Sequence, residues 1–107
     1  MDEEILVKSV SVGEGESVFL DYYIIREHIS REYCNLKTYG IKVERTRMPH
    51  GGGKVVDIKQ INNVFYREND IEEFVKAAAK MRIEPLELGE FTDKYVCATL
   101  DRVRRKI

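Results

Sequence analysis

Residues Val18 to Ile25, Val-Phe-Leu-Asp-Tyr-Tyr-Ile-Ile, form the densest apolar run in the 107-residue chain, and they carry large apolar groups on both sides of a strand. At a side-chain period of two, Val18, Leu20, Tyr22 and Ile24 share one face, which turns polar at Arg26 and His28. Phe19, Tyr23, Ile25 and Ile29 share the other, interrupted by Asp21 and Glu27. A strand with one wet face alternates cleanly. This one does not, which predicts a central strand with apolar material against each side.

Its neighbours are read from the same periodicity. Ile5-Leu6-Val7 followed by the alternation Lys8 to Val12 predicts a first strand over residues 4–12. Gly13-Glu14-Gly15-Glu16-Ser17 predicts the turn that follows, and the central strand runs to about Ile29. A polar link, Ser30 to Asn35, leads to a third strand in which Tyr39, Ile41 and Val43 oppose Lys42, Glu44 and Thr46. Gly40 there predicts a bulge or a close approach of neighbouring backbone. Pro49 and Gly51-Gly52-Gly53 break the pattern, and a fourth strand resumes from Lys54 to about Gln60, with Val56 and Ile58 opposite Asp57 and Lys59.

The period then changes from two to 3.6. Ile71, Phe74, Val75 and Ala78 fall at i, i+3, i+4 and i+7, predicting a helix capped by Asn69, with Glu72 completing the capping box and pairing with Lys76, and ending near Arg82 ahead of Pro85. A second helix, Glu90 to Arg105, uses Val96, Leu100 and Val103 as its packing face, with Cys97 as a small core residue. Four strands then two helices predict an α+β fold: a four-stranded antiparallel meander in ββββαα order, with the two C-terminal helices packed on one face, all within a single domain, residues 1–107.

Composition removes several functions. Eighteen basic and 19 acidic residues leave a net charge of −1, so the whole molecule has no electrostatic commitment to nucleic acid or to an anionic membrane. Cys34 and Cys97 form no CxxC pair, and the N-terminus is acidic where a secretory signal would be basic. These features predict a cytoplasmic protein with reduced thiols. His50-Gly51-Gly52-Gly53-Lys54 has the wrong residues for a phosphate loop, with Met48 and Val55 at the required glycine and Ser/Thr places, and a strand rather than a helix after it. His28, His50 and Cys34 lack an acidic orienter, and no ligand spacing suits a metal, so neither an enzyme, a metal site nor a cofactor is expected.

Two functional expectations remain. Two helices can cover one face of a four-stranded sheet but not both, which leaves Phe19, Tyr23, Ile25 and Ile29 either as a protein interface, for a homodimer or for a partner in regulation, or covered within the chain by a twist or bulge of the strand, by the N-terminal strand or by a loop. The alternative is a nucleic-acid-binding module built on Lys42, Arg45, Arg47 and Lys54 of the basic third strand and its loop, joined by Arg104 and Arg105 of the tail.

Four landmarks also carry a resemblance. They are Tyr22-Tyr23-Ile24-Ile25, Tyr39-Gly40-Ile41-Lys42-Val43, Ile61-Asn62-Asn63 ahead of the helix opening at Asp70, and Pro85-Leu86-Glu87-Leu88 ahead of the last helix. In this order, from Val18 to Val96, the chain resembles a family of small uncharacterised bacterial proteins classed only as a domain of unknown function. The resemblance implies an intracellular bacterial domain and supplies no activity, cofactor or catalytic residue. The loop Gly51–Gly53 and the basic tail after Asp101 fall outside it.

Overall fold

A computed structural model describes residues 2–12, 17–32, 34–49 and 52–105, with side chains from 3–100 among these. Strands β1 (Asp2–Val12), β2 (Ser17–Arg31), β3 (Cys34–Met48) and β4 (Val55–Phe65) precede helix α1 (Glu68–Lys80), a 3-10 turn (Pro85–Glu87) and helix α2 (Leu88–Arg105). The sheet is an antiparallel meander in the order β1-β2-β3-β4, and both helices lie on one side of it. The α+β meander expected from the sequence is therefore the fold.

The strands are longer than their apolar cores. β2 and β3 each span 15 residues, and their ladder continues to the Arg31–Cys34 pair, because backbone bonding propagates through the polar residues His28 to Lys37. At about 3.3 Å per residue, such strands account for the 54 Å long axis of the molecule. Its thin dimension is 18 Å, the depth of one sheet and one helix layer, so one face of the sheet is molecular surface.

The helix-side core is the periodicity made physical. Leu20, Tyr22 and Ile24 of β2 and Tyr39, Ile41 and Val43 of β3 meet Ile71, Phe74, Val75, Ala78 and Ala79 of α1, and all are buried. Each large side chain so buried stabilises the fold by about 1.5–3 kcal/mol before ordering costs. The Tyr22 hydroxyl crosses this core and donates to the Ile83 carbonyl at 3.0 Å, tying the central strand to the end of α1. That end is a Schellman turn. Arg82 takes φ 53°, its N–H bonds to the Ala79 carbonyl, and the Ile83 N–H bonds to the Ala78 carbonyl.

Several boundaries differ from expectation. α1 begins at Glu68 with Arg67 at the cap and no side-chain cap bond, so Asn69 lies in the first turn instead of capping it; Glu68 and Asp70 complement the helix dipole there. α2 packs through Leu88, Phe91, Thr92 and Tyr95, whereas Leu100 is 53% exposed and Cys97 is exposed. The reason is an aromatic cluster: Phe65 at the end of β4, Phe74 of α1, and Phe91 and Tyr95 of α2 have ring centroids 4.9–6.2 Å apart. These rings fix the rotation of α2 and turn Cys97 outward. Glu90 and Lys94 pair at 2.9 Å as their spacing predicts, while the Asp101 and Arg105 side chains lie outside the described residues.

β4 runs beyond Gln60 through a bulge. Tyr39 pairs with Phe65 and Ile41 with Ile61, so Asn62, Asn63 and Val64 stand opposite the single residue Gly40. Asn63 sits at φ 57°, a conformation asparagine tolerates well. The close approach expected at Gly40 is real: a Cβ there would stand 2.3 Å from the Ile61 carbonyl oxygen and 2.8 Å from the Asn62 Cα.

Candidate functional site

The face away from the helices was assigned four interface residues from sequence, and the structure separates them. Phe19 is 36% exposed near one end of β2, Tyr23 and Ile29 are half-buried, and Ile25 is 1% exposed. Ile25 is the register partner of Gly40, so the intruding β4 backbone stands beside its side chain and covers it. Thr38, two residues along β3, is closed off in the same way and donates to Asn63 Oδ1 at 2.5 Å. Ile25 therefore belongs to a small second core under the bulge and has little surface to offer a partner. Ile29 pairs with Leu36 on the two-stranded ribbon beyond the ends of β1 and β4, ten residues and about 33 Å from Phe19.

The centre of this face is polar and internally satisfied. Tyr23 donates to Glu44 Oε2 at 3.1 Å, and Lys42 lies 4.5 Å above the Tyr23 ring. Lys42 Nζ reaches Glu4 at 2.8 Å and Glu44 at 3.7 Å, while Ser9 donates to Asp21 at 2.5 Å. Burial, the Glu44 hydrogen bond and the surrounding carboxylates push the Tyr23 phenol up to about 12. This network makes Tyr23 part of a polar centre, with Leu6, its half-exposed register partner on β1, beside it.

The larger group of exposed apolar residues lies around β4, with Ile5 and Leu6 of β1 a smaller one at the opposite edge. The register places Met48, Phe19 and Val56 around Thr46 on the open face, with Ile58 next along β4. Met48 is 49%, Val56 41% and Ile58 56% exposed, and Thr46 between them is nearly buried. On the other side of β4 a groove of about 630 Å³ runs between the strand and the 3-10 turn, lined by Arg45, Asp57, Ile58, Lys59, Pro85 and Leu86 among others. Leu86 at its rim is 97% exposed. β4 is also an edge strand, with backbone groups unpaired on its outer side. Sequence reasoning missed these residues because strand alternation alone makes Val56 and Ile58 look like core; the signal that exposes them is their place on the last strand of a meander.

The residues of the nucleic-acid alternative do not share a face. Lys42 lies on the open side, committed to Glu4 and Glu44. Arg45 lies on the helix side, 3.0 Å from Glu84 and 3.6 Å from Asp57. Its Nε is buried and off the angle of a hydrogen bond, so charge alone holds it to Glu84. Arg47 is half-buried on the helix side with its Nε unpartnered, and Lys54 is exposed before β4. The Arg104 and Arg105 side chains lie outside the described residues, as do His50 and Gly51. Gly52 and Gly53 take φ +98° and +88°, which only glycine adopts easily. His28 and Cys34 are both exposed on the outer ribbon. Among the described residues no group of three or more His, Cys, Asp or Glu side chains could hold a metal ion. Among them also no helix is long and apolar enough to cross a membrane.

The architecture defines a class: an α+β domain whose four-stranded meander carries two C-terminal helices on one face and leaves the other open. Within that class, the chain belongs to the family of unknown function DUF6514, whose model matches residues 1–98. The match takes in the N-terminal strand and the glycine loop, which lie outside the landmarks quoted from the sequence, and it ends before the basic tail. No curated protein and no solved structure matches the chain.

Proposed function

We propose that this protein is a small cytoplasmic interaction domain that works through protein–protein contact on its β4 side, either with itself or with a partner it regulates. One observation carries the reading. Met48, Val55, Val56, Ile58 and Leu86 are each 40–97% exposed and lie along or beside a single edge strand. Apolar groups gathered this way around unpaired backbone are what interfaces bury, and an edge of this kind left uncovered invites aggregation. The opposite edge is apolar over a shorter stretch. β1 exposes Ile5 at 38% and Leu6 at 54%, but a bulge between Leu6 and Lys8 interrupts it there, and Glu3, Glu4, Lys8, Ser9 and Ser11 flank the pair. The two exposed, unbridged cysteines fit a reducing compartment. A nucleic-acid role has less support, since its cations are divided between two faces and two of them are paired with carboxylates.

Ile58→Asp tests the reading, because Ile58 is half-exposed and its loss leaves the core intact. Light scattering at tens of micromolar is expected to show an associated wild type and a monomeric variant with an unchanged circular dichroism spectrum. If the wild type is a monomer, its native partners must be lost from the variant. An Ile58→Asp protein that keeps both the wild-type mass and the wild-type partners refutes the reading.

A further inference from the structure

Resting on that interaction reading, we infer that the occupant of the β4 edge is the β4 of a second copy, paired antiparallel about a two-fold axis at Ile58. The strand is complementary to itself. Residues Val55 to Ile61 pair with β3 without a register break, so this stretch is regular and can extend the sheet on its outer side. A two-fold axis at Ile58 sets Ile58 against its own copy and Asp57 against the copy's Lys59, twice over. Charge and face both agree with this register. Asp57 and Lys59 share the helix side of the strand, where the groove leaves space for them. Asp57 is 59% exposed, linked only at 3.6 Å to Arg45, and Lys59 has no carboxylate within 4.0 Å among the described residues. On the open side, Val56 and Ile58 of one protomer continue the apolar surface of the other, and Leu86 at the groove rim stands where the incoming strand passes. Shifting the register by two residues in either direction loses this double opposite-charge pairing. The product is a continuous eight-stranded sheet with no β4 edge exposed.

Charge exchange distinguishes this arrangement from any other. Asp57→Lys and Lys59→Asp each place like charges opposite one another twice, and each is expected to weaken self-association about ten- to a hundredfold. The first gives a chain with Lys at both positions and the second a chain with Asp at both. An equimolar mixture is therefore expected to form the heterodimer at a concentration where each alone is monomeric, and the double variant D57K/K59D to recover the wild-type dimer. Sedimentation velocity on the full chain reads all five samples, with circular dichroism confirming that each is folded. A wild type that stays monomeric to its solubility limit overturns self-pairing. Single variants that associate like the wild type, or a mixture that remains monomeric, overturn the register. If Ile58→Asp still disrupts association in that case, the β4 contact surface stands and only the paired register falls.

Discussion

Gly40→Ala adds one methyl group at the point where β4 crosses β3, and its cost follows from two distances. The new Cβ would stand 2.3 Å from the Ile61 carbonyl oxygen and 2.8 Å from the Asn62 Cα, both of them backbone atoms that cannot rotate aside. Restoring an ordinary contact requires the bulge to retreat by about 1 Å, since non-bonded carbon contacts lie at about 3.5 Å or more. If the bulge holds its place, overpacking costs about 1–3 kcal/mol. If it lifts, the Thr38–Asn63 hydrogen bond is lost at about 1 kcal/mol, and part of the 1.5–3 kcal/mol from burying Ile25 goes with it. Alanine returns about 0.4–1 kcal/mol by restricting the unfolded chain, because Gly40 does not use the left-handed region. The net expectation is a destabilisation of about 0.5–2.5 kcal/mol. With about 2.1 cal/mol/K of unfolding entropy per residue over 107 residues, that lowers Tm by about 2–11 °C. Urea titration followed by circular dichroism measures it, with Thr38→Val as a companion that removes the hydrogen bond alone. A Gly40→Ala protein within 0.5 kcal/mol of wild type, on the order of mutational noise for surface sites, would show that the bulge is not packed on Gly40 and that Ile25 is covered by something else.

Three further outcomes follow from the core and the helix ends. Tyr22→Phe leaves the buried Ile83 carbonyl without its donor and is expected to cost about 1–2 kcal/mol in the same titration. Arg82→Gly relieves a non-glycine residue at φ 53° in the Schellman turn and is expected to raise stability by about 0.5–1 kcal/mol, read as a higher Tm. Burial, with the Glu84 and Glu87 carboxylates adding to it, pushes the Tyr22 phenol up from 10.0 to about 12. Folding thus favours the protonated phenol: its contribution is complete below pH 10 and is lost as pH rises through 12. Tm recorded from pH 8 to about 12 should fall over the top two units, and Tyr22→Phe should flatten part of that fall.

The fold was legible because the hydrophobic period changes once, from two to 3.6, and both halves obey it. Tyr39, Ile41 and Val43 alternate into the helix-side core, and Ile71, Phe74, Val75 and Ala78 lie on the stripe that covers them. Gly40 announced its own close contact, since a glycine inside an alternating strand has few other uses. The strand lengths were not legible, because backbone pairing carries β2 and β3 through polar residues that show no hydrophobic pattern. The face of α2 was read one position off, for Phe91 and Tyr95 are chosen by rings on β4 and α1 that no local window contains. The open face is open, as expected, but its exposed apolar groups lie toward Phe19, Met48, Val56 and Ile58, and its centre around Tyr23 is a polar network. Lys42, Glu44 and Glu4, three residues from two non-adjacent strands, convert Tyr23 from a contact residue into part of a polar network. Ile25 is buried beside Gly40, where the backbone of the β4 bulge comes close.

Amide hydrogen exchange of the two edge strands as a function of protein concentration tests the β4 assignment most directly. From low to high micromolar, protection is expected to rise at residues 55–61, whose outward N–H groups acquire partners, and to stay constant along residues 2–12 of β1. Concentration-independent exchange at residues 55–61, or protection that grows at β1 instead, would contradict self-pairing through β4.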